Sequence, residues 1–174
     1  MLSYHQSACM GGFSLIEVLV AMLIVAVGIL GVAGLQITSL HLNQSAMFRS
    51  EALQMGNDLL DRMRANGLQD YAPAPVLLTD PPVASLNCIA ETCASDELAS
   101  YDLTWWKCSI NSTLDEALGT QFPACVDLGV SGSLPLGAGA LSKQDGVYIV
   151  TVEWQDNRAG ARQSINLRSQ TGGP

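Results

Sequence analysis

Between Val18 and Leu40 the chain carries no charged residue, and Val18–Leu35 is apolar or glycine throughout. A helix needs about 20 such residues to cross a bilayer core near 30 Å thick, so this run is long enough to span one. A cleaved secretory signal has a shorter apolar core, about 7–15 residues, behind a positive segment. Here residues 1–12 hold neither Lys nor Arg. One acid interrupts the pattern: Glu17, just inside the apolar stretch that begins at Phe13. An acid at the centre of a membrane helix costs roughly 2.5–3.5 kcal/mol and marks function by default. Near a helix N-terminus the dipole lowers that cost, so a carboxylate reaching the headgroups is the competing reading.

The remaining composition excludes several function classes. The 174 residues include 8 Lys+Arg and 16 Asp+Glu, a net charge of −8. Phosphate binding needs clustered Lys and Arg. The local pair Arg62 and Arg64 sits beside Asp58 and Asp61, so no nucleic-acid partner is expected. Hydrophobic residues at 48% argue against intrinsic disorder. The two histidines are His5 and His41, so the chain beyond 41 has no histidine base for Ser-His or Cys-His chemistry and no histidine zinc ligand. The adjacent acids Asp96-Glu97 and Asp115-Glu116 point in different directions on a helix and read as solvated rather than as an acid–base pair. No catalytic residue, metal or cofactor is expected.

The segment Gly12-Phe13-Ser14-Leu15-Ile16-Glu17, continued by Val18-Leu19-Val20-Ala21, resembles the processing site of the type IV pilin family. The resemblance implies cleavage after Gly12 by a prepilin peptidase and methylation of the new N-terminus at Phe13 by the same enzyme. Glu17 becomes the fifth residue of the mature chain, where the family carries its glutamate. It also implies pairing of Glu17 with the terminal ammonium of a neighbouring subunit. Buried opposite charges are tolerable when paired and costly when one stands alone, so the pair would favour lateral assembly. Because residues 1–12 lack basic residues, the topology follows from the resemblance and the cysteines, not from the positive-inside rule.

Beyond the apolar run, Ile37, Leu40, Gln44, Phe48, Ala52, Met55, Leu59 and Met63 step by three or four, an amphipathic stripe. Asn66-Gly67 is a stop signal, with Arg62 and Arg64 in the last turn. One helix is expected from Phe13 to Ala65, its stripe packed on a globular part. Gly28, Gly31 and Gly34 fit close packing of neighbouring helices or the ordinary glycine content of membrane helices. The expected domains are a leader at 1–12, a membrane and assembly half at 13–40, an amphipathic half at 41–66, and a periplasmic domain at 67–174.

Residues 68–87, with Pro73, Pro75, Pro81 and Pro82, read as a connector. Cys88, Cys93, Cys108 and Cys125 follow at gaps of four, fourteen and sixteen residues. There is no C-x-x-C pair, which disfavours zinc. Four cysteines in a small domain outside the cytoplasm read as two disulfides. Three connectivities are open, and loop-closure entropy favours sequence neighbours, Cys88–Cys93 and Cys108–Cys125. Ser95 is a candidate N-cap for a helix reaching Trp105-Trp106. Its apolar face would be Leu98, Tyr101, Leu103 and one of the tryptophans. Thr113–Leu118 is expected to hold a helical turn or two, Cys125–Val130 a strand, and Gly132–Gly139 a loop. Val147–Trp154 and Ala161–Arg168 alternate around an Asp156–Gly160 loop and predict an antiparallel hairpin. Together these give an α+β fold, with a long N-terminal helix on a small antiparallel sheet.

The cysteine pair, Leu98-Ala-Ser-Tyr-Asp-Leu-Thr-Trp105 and Tyr148-Ile-Val-Thr-Val-Glu-Trp154 are further similar to one branch of the family, the PilV type IV pilus modification proteins. The branch implies a non-catalytic minor pilin in a priming or tip complex. Its implied partners are prepilin peptidase, other minor pilins, the major pilin and the inner membrane. Two alternatives stay open: a minor pseudopilin of type II secretion, and a single-pass anchored periplasmic adhesin.

Overall fold

The structure is a computed structural model and describes residues 12, 14–67, 69–83, 86–115, 118–156 and 162–170. Helix α1 spans Leu15–Ala65. Phe13, the expected start, lies outside the described residues. The chain divides into two units, Met1–Asn43 and Gln44–Pro174. The described part of the first unit is essentially helix, with its apolar side chains exposed along its length, Leu15 at 78% and Leu35 at 74%. No proline interrupts it, and each backbone N–H within a helix is satisfied internally.

In the second unit the last turns of α1 bury Ala52, Gly56, Leu59, Leu60 and Met63. Phe48 and Met55 are partly buried against the core. The stripe therefore packs from Phe48 onward, whereas Ile37 and Leu40, further back along it, are exposed at 58% and 63%. Gly56 lies against the sheet. A Cβ there would meet the Leu167 side chain.

Helix α2 spans Ser95–Ile110. Its N-cap is Ala94, not Ser95: the extended Ala94 backbone precedes the first turn, and its N–H donates to Glu97 Oε2 at 2.8 Å. The carboxylate three residues on replaces the hydroxyl cap that Ser95 was expected to supply. Tyr101, Trp106 and Ile110 are buried, while Leu98, Leu103 and Trp105 are half-buried. The core-facing tryptophan is Trp106, whose Nε1 donates to the Met55 carbonyl at 3.0 Å.

Two expectations fail here. Thr113–Asp115, the start of the expected helical turns, is not helical, and residues 116–117 lie outside the described residues. Strand β1, Thr113–Asp115, pairs antiparallel with β2, Thr120–Gln121. Asn111, at φ −151° and ψ 118°, turns the chain out of α2 into extended backbone, and Gly119 at φ 64° lets it return. Cys125–Val130 does not form a strand. It overlaps helix α3, Pro123–Leu128. Pro123 occupies the first helical position and Gly129 closes the end in the left-handed region at φ 65°, the usual proline-first, glycine-last asymmetry.

The sheet has the order β3–β4–β5, with β3 Ala138–Gln144, β4 Val147–Gln155 and β5 Arg162–Ser169, all antiparallel. Gln144 pairs with Val147 across a two-residue turn at Asp145 and Gly146, both at positive φ. Tyr148 pairs with Ser169 and Gln155 with Arg162. The expected hairpin is β4–β5; residues 157–161 of its loop lie outside the described residues. Strand β3, partly assigned to a loop, adds a third member. Its Gly139 admits the Trp106 ring, where a Cβ would not fit. The connector carries one bridge, Val76 to Leu141. Leu141, Tyr148, Val150, Val152, Trp154 and Ile165 form the inner sheet face, in one core with Ala52, Leu59, Leu60, Met63, Trp106 and Ile110.

Candidate processing and assembly site

At the start of α1 the Ser14 carbonyl accepts the Glu17 N–H at 3.0 Å and the Val18 N–H at 3.3 Å. Glu17 sits in the first turn, where the helix dipole favours a negative charge. Its neighbours Leu15, Ile16, Val18 and Leu19 are exposed. Gly12 is exposed, and a Cβ there would meet nothing within 4 Å. Phe13 and Cys9 lie outside the described residues. The structure thus places Gly12 exposed ahead of the helix and Glu17 within its first turn. Helix α1 is long and apolar enough to cross a membrane, with a mean hydropathy of 2.8 in its most apolar window.

The cysteines pair as Cys88–Cys93 and Cys108–Cys125, with Cα separations of 5.5 and 5.3 Å. The second bond joins α2 to α3 and is fully buried.

Three polar clusters escaped the sequence reading, because their members lie far apart in the chain. Asp102, on α2 and buried, accepts hydrogen bonds from Arg62 at 3.0 Å and from Tyr71 Oη at 2.7 Å. Burial, followed by the bond to Asp102, pushes the Tyr71 hydroxyl well above its ordinary pKa. Asn66 donates to Tyr71 Oη and to the Ser95 carbonyl. The stop signal of α1 is thereby tied to the start of α2. The guanidinium of Arg62 also lies 4.1 Å from the Trp105 ring centroid.

In the second cluster Asp70 accepts from Tyr148 Oη at 2.7 Å and from Lys143 Nζ at 2.9 Å. These two bonds, Tyr148 first, hold its carboxyl down at about 2. In the third, Lys107 is buried and donates to the carbonyls of Leu77 and Asp80 in the connector. Burial lowers its pKa, offset in part by Asp80.

These clusters join elements of the second unit; they do not converge on a reactive group. A groove of about 590 Å³ is lined by Glu51, Asp58 and Asp61 of α1 and by Trp105 and Ser109 of α2. Asp58 is paired with Arg62, and Asp61 with Arg64. Among the described residues no group of three His, Cys, Asp or Glu is placed to hold a metal ion.

Two family models match the chain. The prokaryotic N-terminal methylation motif covers residues 9–33, and a family described as Type IV pilin Tt1218 covers residues 34–104. The two matches meet end to end over residues 9–104, more than half of the 174 residues. Over those residues the chain is similar to type IV pilins. Neither a curated protein nor a solved structure matches it significantly. Type IV pilins are structural, non-catalytic proteins. The methylation motif implies processing by a prepilin peptidase and assembly with other pilins. The apolar helix suits membrane anchoring before assembly.

Proposed function

We propose that this chain is a minor pilin of a type IV pilus, of the PilV type. Prepilin peptidase cuts it after Gly12 and methylates Phe13. The observation that carries this reading is the start of α1. A single carboxylate, Glu17, stands in the first turn of a helix with no other charge before His41. Before assembly the chain crosses the inner membrane once, with its C-terminal unit in the periplasm. Afterwards it stands at the pilus tip, in a complex with other minor pilins, where it helps to start assembly on the major pilin. Glu17 pairs with the methylated ammonium of a neighbour. The cysteine pair and the segments Leu98–Trp105 and Tyr148–Trp154 support the PilV type over other branches of the family.

The deciding experiment is the N-terminal sequence and intact mass of membrane-extracted protein from cells with and without prepilin peptidase. A methylated Phe13 only where the enzyme is present is the expected result. A chain retaining residues 1–12 in both strains would overturn the reading. Glu17→Ala is expected to be processed normally but lost from sheared pili. Deletion is expected to abolish twitching and spare protein secretion; the reverse would mark a secretion pseudopilin.

A further inference from the structure

The two disulfides occupy opposite environments. Cys108 and Cys125 have no exposed surface, and their bond lies beneath α2 and α3. Cys88 and Cys93 both retain exposed surface. They close a loop of sequence separation 5. The hydrogen bonds of that loop are local. Asn87 O accepts from the N–H groups of Ala90 and Glu91, and Asn87 Oδ1 accepts from that of Ile89. Ile89 at its centre is 82% exposed. Among the described residues, none from 86 to 94 belongs to the buried core. Opening this bond therefore disturbs none of the buried core, whereas opening the other requires the domain to open first.

Thiol–disulfide exchange needs a thiolate to reach a sulfur in line with the bond, so access governs its rate. We propose that Cys88–Cys93 is a thiol–disulfide exchange site for a dithiol reductant, and that Cys108–Cys125 is closed to it. One thiolate of the dithiol attacks a sulfur of the pair and expels the other as a thiolate, leaving a mixed disulfide. The second thiolate of the dithiol then displaces the remaining cysteine. The dithiol gives up two electrons and two protons and becomes a disulfide; Cys88 and Cys93 gain them as two thiols. The loop then keeps its local hydrogen bonds to the Asn87 carbonyl and side chain. The surroundings select the attacker by charge. Glu91, Asp96 and Glu97 lie within four residues of Cys93, and Glu91 and Asp96 are exposed. They repel an anionic thiol and favour one carried beside a positive charge. The fitting partner is a dithiol protein with basic groups around its reactive pair. The inference holds whether or not the chain enters a pilus.

The test uses the oxidised full chain in non-ionic detergent, exposed to dithiothreitol under native conditions. Samples are quenched with an alkylating agent and peptide-mapped over time. Label is expected on Cys88 and Cys93 at a rate at least about a hundredfold above that on Cys108 and Cys125, since the buried pair reacts only through rare opening of the domain. In guanidinium the two rates should converge. Simultaneous native labelling of all four cysteines, or earlier labelling of Cys108 and Cys125, overturns the proposal. Cysteamine and glutathione, compared per thiolate, separate the charge effect. The cationic thiol should open the exposed pair several-fold faster, and added salt should narrow the gap. Equal rates would overturn selection by charge. The double variant Cys88→Ser/Cys93→Ser should keep the tryptophan fluorescence of the oxidised parent. Its loss would mean that the bond is a structural staple and not an exchange site.

Discussion

Single residues in this fold are held by partners far away in sequence, and their removal has a calculable sign. The Asp70 carboxyl is held at about 2, below its ordinary 3.8, chiefly by Tyr148 and then by Lys143. The folded state therefore prefers the ionised form. Its contribution to stability is present above about pH 4 and is lost as pH falls toward 2. Asp70→Asn should be less stable than the parent at pH 6, with the difference closing by pH 2. Urea unfolding of the detergent-solubilised chain across that range would reveal it. The effect is small because Asp70 is 42% exposed and solvent screens the pair. Tyr71→Phe acts at a buried site. It deprives buried Asp102 of one of its two donors and should cost about 1–3 kcal/mol, read as a lower urea midpoint at unchanged slope. Neither Asp70 nor Asp102 was singled out in the sequence as a partnered acid. Nothing local distinguishes a carboxylate that meets a tyrosine 31 or 78 residues away from one that faces solvent.

At the scale of elements, the sequence was legible wherever period and composition agreed. Helix α1 was readable from its uncharged run, its stripe and its Asn66-Gly67 stop. The β4–β5 hairpin was readable from alternating β-branched residues. Strand β3 was not, since Ala138-Gly-Ala-Leu-Ser-Lys-Gln144 has little strand propensity. It is a strand because β4 offers it an edge and because Gly139 admits the Trp106 ring, a tertiary override of propensity. Gly139→Ala should cost about 1–3 kcal/mol by overpacking against that ring, measured as a fall in thermal midpoint. Helix α3 was misread because its short apolar run fits either period, and the deciding signals were Pro123 and Gly129 at its ends. The connector's stretch around Leu77 and Asp80 is held by a distant side chain, Lys107. Lys107→Met would remove the ammonium from both carbonyls, leaving the Leu77 carbonyl only the Asp80 N–H. Limited proteolysis should then cut between 77 and 83 faster than in the parent, while the sheet core stays protected.

For the whole molecule, the two units obey different physics. The described part of the unit ending at Asn43 is a helix whose large apolar side chains are exposed. In a detergent micelle its backbone bonds are satisfied internally, and no water competes for them. The unit from Gln44 is a packed α+β domain with a buried disulfide. Its stability depends on the core and on that bond. The three tryptophans, Trp105, Trp106 and Trp154, all lie in the second unit, so their fluorescence reports that unit alone. Heating the full chain in detergent should therefore give a cooperative loss of tryptophan signal while part of the 222 nm helical ellipticity survives. Cys108→Ala/Cys125→Ala removes a cross-link of sequence separation 17 and should cost about 3 kcal/mol. That change should lower the tryptophan midpoint and leave the surviving ellipticity untouched. If both signals moved together, the first-unit part of α1 would be folding with the domain. Its exposed apolar face would then not be a surface held in reserve for neighbouring subunits.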